Sequence, residues 1–216
     1  MDYTQLKTAV EDYCENTFTS VDFATMTQLA EQKIFNSVQL PVSRQNVTGL
    51  LTANNKYLTL PTGFLSVFSL AVIDTLGMYS YLLNKDVNFI REAYPSPADL
   101  GTPKYYAVFG PDNTTPLYTT LILGPTPSAA LTAELHYSAY PTSIVVSGTS
   151  WLGDNFDSAL FNATMVEAIR FMKGEDDMVK LYADAYKQSL TLIKNLSDGK
   201  LRQDAYRSGQ VRTQVI

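Results

Sequence analysis

The sequence predicts an α+β protein: a helical bundle built from N- and C-terminal helices, an inserted antiparallel β module (a small barrel or sandwich), and an extended C-terminal arm. Three observations carry this reading. Apolar residues recur at three- and four-residue spacing before residue 40 and again after residue 151. Short runs of β-branched, aromatic and aliphatic residues, punctuated by Gly and Pro, fill the interval. The last seventeen residues, Lys200 to Ile216, have no stripe of either period.

Taken in order, Thr4–Asn16 and Asp22–Ser37 read as a helical hairpin. Asp22 stands as the N-cap of the second helix, and Phe23, Met26, Leu29, Ala30 and Ile34 form its apolar stripe. After Pro41, strands are expected at Tyr57–Leu60, Val67–Ile73 and Met78–Leu83, bounded by Pro61, Gly63 and Gly77, with 46–56 left as a loop. Eight residues, Val87–Tyr94, are too few for periodicity to decide whether they form helical turns. Lys104–Phe109, Tyr118–Leu123 and Leu131–Tyr137 read as an antiparallel meander, because Gly110-Pro111-Asp112-Asn113 and Gly124-Pro125-Thr126-Pro127 are turn sequences. Beyond Trp151, Leu160, Phe161, Met165, Ile169 and Met172 make one helical stripe, and Gly174 ends it. A last helix to about Leu196 carries Met178, Leu181, Tyr182, Ala185, Leu192, Ile193 and Leu196 on one face, to be packed on the N-terminal helices. The expected divisions are therefore 1–40, 41–150, 151–199 and 200–216.

A chain of 216 residues can bury roughly 70% of its unfolded surface without covalent staples. The single cysteine, Cys14, has no partner in the chain and shares a helical stripe with Leu6, Val10 and Tyr13, so it reads as a core side chain. The start MDYTQLKTAVEDY lacks the basic-then-apolar order of a signal peptide, and no run approaches the 18 apolar residues of a membrane span; a soluble protein not exported by that route is expected. Charge is unevenly placed: the last seventeen residues are +3, whereas the other 199 hold 12 basic and 20 acidic side chains. The net charge of −5 argues against a broad nucleic-acid-binding surface. Fourteen Tyr and ten Phe with only 17% charged residues suit extensive subunit contact, since interfaces are rich in aromatics and poor in Lys, Glu and Asp. A basic arm tipped with apolar residues orders itself on a partner more readily than on its own body.

Little in the sequence supports catalysis. The single His136 is the one imidazole around which a Ser-His-Asp or Cys-His arrangement could be built, and its sequence neighbours supply no partner. The pairs Asp154/Asp157 and Asp176/Asp177 read as acids at helix starts rather than as metal ligands. Gly148-Thr149-Ser150-Trp151 lacks the glycine spacing and lysine of a phosphate-binding loop. Trp151 is expected to close the strand region against the helix that follows. No cofactor or metal is implied.

Seven segments, in order, carry a resemblance: Leu29-Ala30-Glu31-Gln32-Lys33-Ile34, Leu58-Thr59-Leu60-Pro61-Thr62-Gly63-Phe64-Leu65, Gly101-Thr102-Pro103-Lys104-Tyr105-Tyr106-Ala107-Val108, Leu123-Gly124-Pro125, Leu135-His136-Tyr137, Trp151-Leu152 and Asp157-Ser158-Ala159-Leu160. Together they resemble the head-to-tail adaptor (connector) proteins of tailed bacteriophages, particularly those of short-tailed phages. The resemblance implies a non-enzymatic homo-oligomer, generally a dodecameric ring, in the neck of the virion. Such a ring sits beneath the portal protein, receives the tail nozzle or tail tube and lets double-stranded DNA pass without specific binding; no membrane is involved, and assembly takes place in the host cytoplasm. On this reading the arm is the portal-binding element, with Arg202, Arg207 and Arg212 meeting carboxylates and Tyr206, Val215 and Ile216 filling apolar pockets. Three other readings remain: a carbohydrate- or peptide-binding β module with a platform of tyrosines and Trp151, another neck or tail-tube component, and an enzyme in which His136 faces a pocket beside an acid.

Overall fold

The structure, a computed structural model, describes the backbone of residues 1–112 and 115–211 and the side chains of residues 1–110 and 119–197. Helices α1 (Tyr3–Cys14) and α2 (Ser20–Ser37) open the chain. They are followed by β1 (Arg44–Leu51), β2 (Tyr57–Thr59), β3 (Phe64–Ile73), β4 (Tyr79–Tyr81), β5 (Leu83–Asn84), helix α3 (Val87–Ala93), β6 (Leu100–Gly101), β7 (Tyr105–Asp112), β8 (Thr115–Gly124), β9 (Thr126–Pro127) and β10 (Leu131–Ala139). Helices α4 (Ile144–Ser147), α5 (Trp151–Asn155), α6 (Asp157–Phe171) and α7 (Asp176–Val211) complete an α+β chain. It divides into a helical unit, Met1–Ser43 with Pro141–Ile216, and a β unit, Arg44–Tyr140.

In the helical unit α1 begins with a capping box: the Asp2 carboxylate accepts from the Gln5 amide at 2.8 Å, and the Gln5 side chain accepts from the Asp2 amide at 3.0 Å. The cap of α2 is Thr19, whose hydroxyl accepts from the Asp22 amide, so Asp22 lies one turn inside the helix rather than at its cap. Phe23, Met26, Ala30 and Ile34 are buried, whereas Leu29 is exposed. Helix α6 is the centre of the bundle, with Leu160, Ala163, Met165, Ala168 and Ile169 buried on more than one side. It ends where Gly174 donates to the Ile169 carbonyl at 2.9 Å. A Cβ on Gly174 would stand 2.7 Å from Ile169 Cγ2, which explains glycine there.

Four further expectations are corrected in this unit. The chief partner of α7 is α6, not the N-terminal hairpin. Its buried side is Val179, Tyr182, Tyr186, Leu190 and Ile193, while Met178, Leu181, Leu192 and Leu196 remain exposed. The apolar surface of α7 is wider than one contact, so a stripe drawn from composition merges two faces. Lys200–Val211, read as the start of an extended arm, continues α7. Extending an existing helix costs far less than nucleating one, and Leu, Arg, Gln and Ala in this stretch are good helix formers. Trp151, expected to close the strand region, packs instead in the helical core, its ring 5.3 Å from that of Phe156.

The β unit holds two four-stranded sheets, ordered β1-β10-β3-β4 and β2-β8-β7-β5, and a short parallel pair, β6-β9. The first two share one core, in which Leu70, Val72, Leu135 and Tyr137 of one sheet join Leu60, Tyr106, Leu121 and Leu123 from the side of the other. The chain crosses between them more than once, and the passage from β4 to β5 is the single residue Leu82. The expected meander does not form. Although β7 and β8 pair antiparallel, β10 lies between β1 and β3 in the other sheet. Alternation along β10 marks which face is buried but not which strand lies beside it. Strand β7 extends through Pro111 and Asp112, residues read as a turn; Asn113 of that expected turn lies outside the described residues. The stretch 46–56, expected as a loop, supplies most of β1, and Val87–Ala93 is helical.

Helix α3 covers the outer face of the second sheet, where Ile90, Ala107 and Ile122 form a small core with Val87, Tyr94 and Tyr105. Gly124 permits this approach: a Cβ there would lie 2.8 Å from Tyr94 Cδ2 and 3.0 Å from Ile90 Cγ2.

Candidate functional site

The outer face of the sheet β1-β10-β3-β4 holds the densest polar constellation of the β unit. On β10, alternate residues point outward, so Glu134 and His136 share a face while Ala133, Leu135 and Tyr137 fill the core. Beside them stand Asn46 of β1, Ser69 of β3, and Tyr79 and Tyr81 of β4, around an open hollow of about 280 Å³. Asn46 Nδ2 donates to Glu134 Oε1 at 2.9 Å and the Tyr79 hydroxyl donates to Oε2 at 3.0 Å. The Tyr79 phenol is held above its ordinary value first by that hydrogen bond and then by the carboxylate's charge. Tyr81 stacks on Tyr79 with ring centroids 6.4 Å apart.

His136 thus faces a hollow beside an acid, the arrangement expected of the enzyme reading, yet the chemistry is differently connected. Both Glu134 oxygens are engaged by Asn46 and Tyr79, and the imidazole lies against Phe68 at 5.3 Å, with the Arg44 guanidinium 4.9 Å from that ring. Ser69 is the register partner of His136. Among the described residues no hydrogen bond joins Ser69, His136 and Glu134. Cys14 packs at the edge of the helical core, where burial pushes its thiol up and away from the reactive thiolate. Among the described residues no group of three or more His, Cys, Asp or Glu is placed to hold a metal ion, and no helix is long and apolar enough to cross a membrane. The acid pairs of the sequence stand in the first turns of α5, α6 and α7.

The helical unit carries a second candidate surface. The exposed stripe of α7, Met178 (41% exposed), Leu181 (60%), Leu192 (64%) and Leu196 (43%), runs along about 27 Å of helix at 1.5 Å per residue. Its opposite side is fastened by the Tyr186–Ser37 hydrogen bond and by Ser197 Oγ, which donates to the Gln39 carbonyl. Of the residues assigned to the arm, Arg202, Tyr206 and Arg207 fall on the backbone of α7, and their side chains lie outside the described residues. Arg212, Val215 and Ile216 lie outside them altogether. Sequence reasoning missed the Asn46–Glu134–Tyr79 cluster; the outward alternation Glu134-x-His136 was its signal, but the β1 and β4 partners come only from strand pairing.

Comparison with curated proteins gives no match. Residues 1–214 match the family model described as SU10 adaptor protein. The match takes in both units and all of α7, so the chain belongs to the SU10 adaptor protein family, and it is a phage structural adaptor protein, a component of the virion.

Proposed function

We propose that this adaptor forms a closed ring, generally of twelve copies, in the neck of a short-tailed virion, joining the portal to the tail nozzle and letting the genome pass without catalysis. The observation that carries the reading is the unpartnered apolar stripe of α7. A cyclic ring uses two different patches on each subunit, and α2 offers a second one, with Val21 (73% exposed) and Leu29 (44%) about two turns apart and both exposed. The α7 stripe of one copy then meets the α2 face of the next. The acidic excess of residues 1–199 disfavours the phosphate contacts that would stall DNA in transit. The basic C-terminal segment, with Arg202, Tyr206, Arg207, Arg212, Val215 and Ile216, is the portal-binding element. Exposed ion pairs contribute about 0–1 kcal/mol each, so apolar anchoring and repetition around the ring carry most of the affinity. The test is a density map of the virion: a ring of this chain below the portal with α7 at each subunit boundary is expected, and the absence of such a ring overturns the proposal.

The hollow flanked by Tyr79 and Tyr81 favours one second reading, a carbohydrate- or peptide-binding surface. Titration with oligosaccharides and peptides, followed by the tyrosine resonances, separates the two readings.

A further inference from the structure

Strand β1 is an edge without the usual protections. It pairs with β10 alone, through eight consecutive residue pairs with no bulge. Along its other side, alternate N–H and C=O groups have no ladder partner among the described residues. Natural edges of this length are blunted by Lys, Pro, a bulge or an inward-pointing charge. After Arg44 the strand reads Gln-Asn-Val-Thr-Gly-Leu-Leu, with none of these, and it leaves Val47 38% and Leu50 69% exposed. The chain turns from β1 into β2, the edge of the other sheet. Between the two edges lies an open hollow of about 240 Å³ lined by Val47, Gly49, Leu58, Leu60 and Leu135, with no charged residue in its wall. A Cβ added at Gly49 would meet nothing within 4 Å. The shared core is therefore incompletely filled on the side where both sheets end.

We propose that an extended strand of a different virion protein pairs with β1 and places apolar side chains, at every second position, into this hollow. Free ladder groups in a row select an extended backbone, and an uncharged wall selects apolar side chains at the strand period of two. A second copy's β1 is a poor occupant. Its core-facing positions are Gln45, whose side chain accepts from the Tyr137 hydroxyl, Val47, Gly49 and Leu51; Leu51 is already buried in the shared core, so self-pairing would offer the hollow Val47 flanked by a polar group and a residue with no side chain. The inference rests on the chain being a virion component and not on the ring.

The experiment compares hydrogen–deuterium exchange of residues 44–51 in the free full-length chain and in purified virions. It adds a photo-crosslinking variant, Leu50→p-benzoylphenylalanine, in virions. Exchange is expected to slow by about 100-fold or more in the particle, as for ladder-bonded amides, and the cross-link to map to a segment of another chain with apolar residues at alternate positions. Unchanged exchange overturns the proposal, as does a cross-link to β1 of a second copy or to a helical segment.

Discussion

Replacing Glu31 tests how α2 holds the segment that returns from the β unit. Glu31 is 3% exposed, and its Oε1 accepts from the amide of Ile144, itself fully buried, at 2.9 Å. The Ser143 side chain is a second partner. Glu31→Ala strands that amide in the core and leaves a void, which costs about 1–3 kcal/mol for the unsatisfied donor. Glu31→Gln keeps an acceptor oxygen and removes the buried charge. Burial raises the Glu31 carboxyl above its ordinary value of 4.5, against the lowering effect of the bonds from Ser143 and Ile144. The folded chain thus binds this proton more tightly than the unfolded chain. The resulting stability is fully present below 4.5 and is lost as pH rises through the folded value. Glu31→Gln has no such slope, so its stability relative to the parent should rise with pH over that window and then level off. The assay is urea unfolding of both variants and the parent, followed by far-UV circular dichroism from acidic to neutral pH. Equal stability of the Ala and Gln variants, or a Gln advantage that is flat or falls as pH rises, refutes the reasoning.

Three further outcomes are expected. Gly124→Ala drives a methyl into Tyr94 and Ile90 at the 2.8 and 3.0 Å approaches, so urea titration should register a loss of about 1–3 kcal/mol, with partial recovery in a Tyr94→Leu background; no loss would place α3 farther from the sheet. His136→Ala should leave plaque titre within a few-fold of the parent, because Glu134 is committed to Asn46 and Tyr79. A large drop in titre from stable, assembled particles would restore the enzyme reading. Deleting 200–216 removes the helical signal of the end of α7 but should leave the melting of the helical core in place, since its last buried apolar residue among the described residues is Ile193, yet abolish co-sedimentation with portal-containing heads; undiminished binding removes the portal-binding role from this segment.

The fold class was legible because period and punctuation are local properties. Phe23, Met26, Ala30 and Ile34 recur at helical spacing and are buried, and Leu131–Tyr137, read as a strand, lies within β10. Gly174 marked a helix end for the reason the structure supplies, a close approach to Ile169. The misreadings share one cause. Thr19 as the cap of α2 turns on which backbone amide a side chain reaches, and Leu29 and Leu181 look like core residues until the neighbouring helix is placed.

By itself the sequence determined that helices flank a β-rich middle, that one cysteine and one histidine leave few routes to chemistry, and that positive charge gathers at the C-terminus. Tertiary structure alone decided that β10 leaves the β7–β8 hairpin for the other sheet, that Asn46, Tyr79, Glu134 and His136 from three strands line one hollow, and that α7 packs on α6 while Met178, Leu181, Leu192 and Leu196 stay exposed. Periodicity says that a residue faces something. Which partner it faces depends on contacts between residues far apart in the chain, where loop entropy, shape and hydrogen-bond geometry choose among pairings that local sequence leaves equivalent.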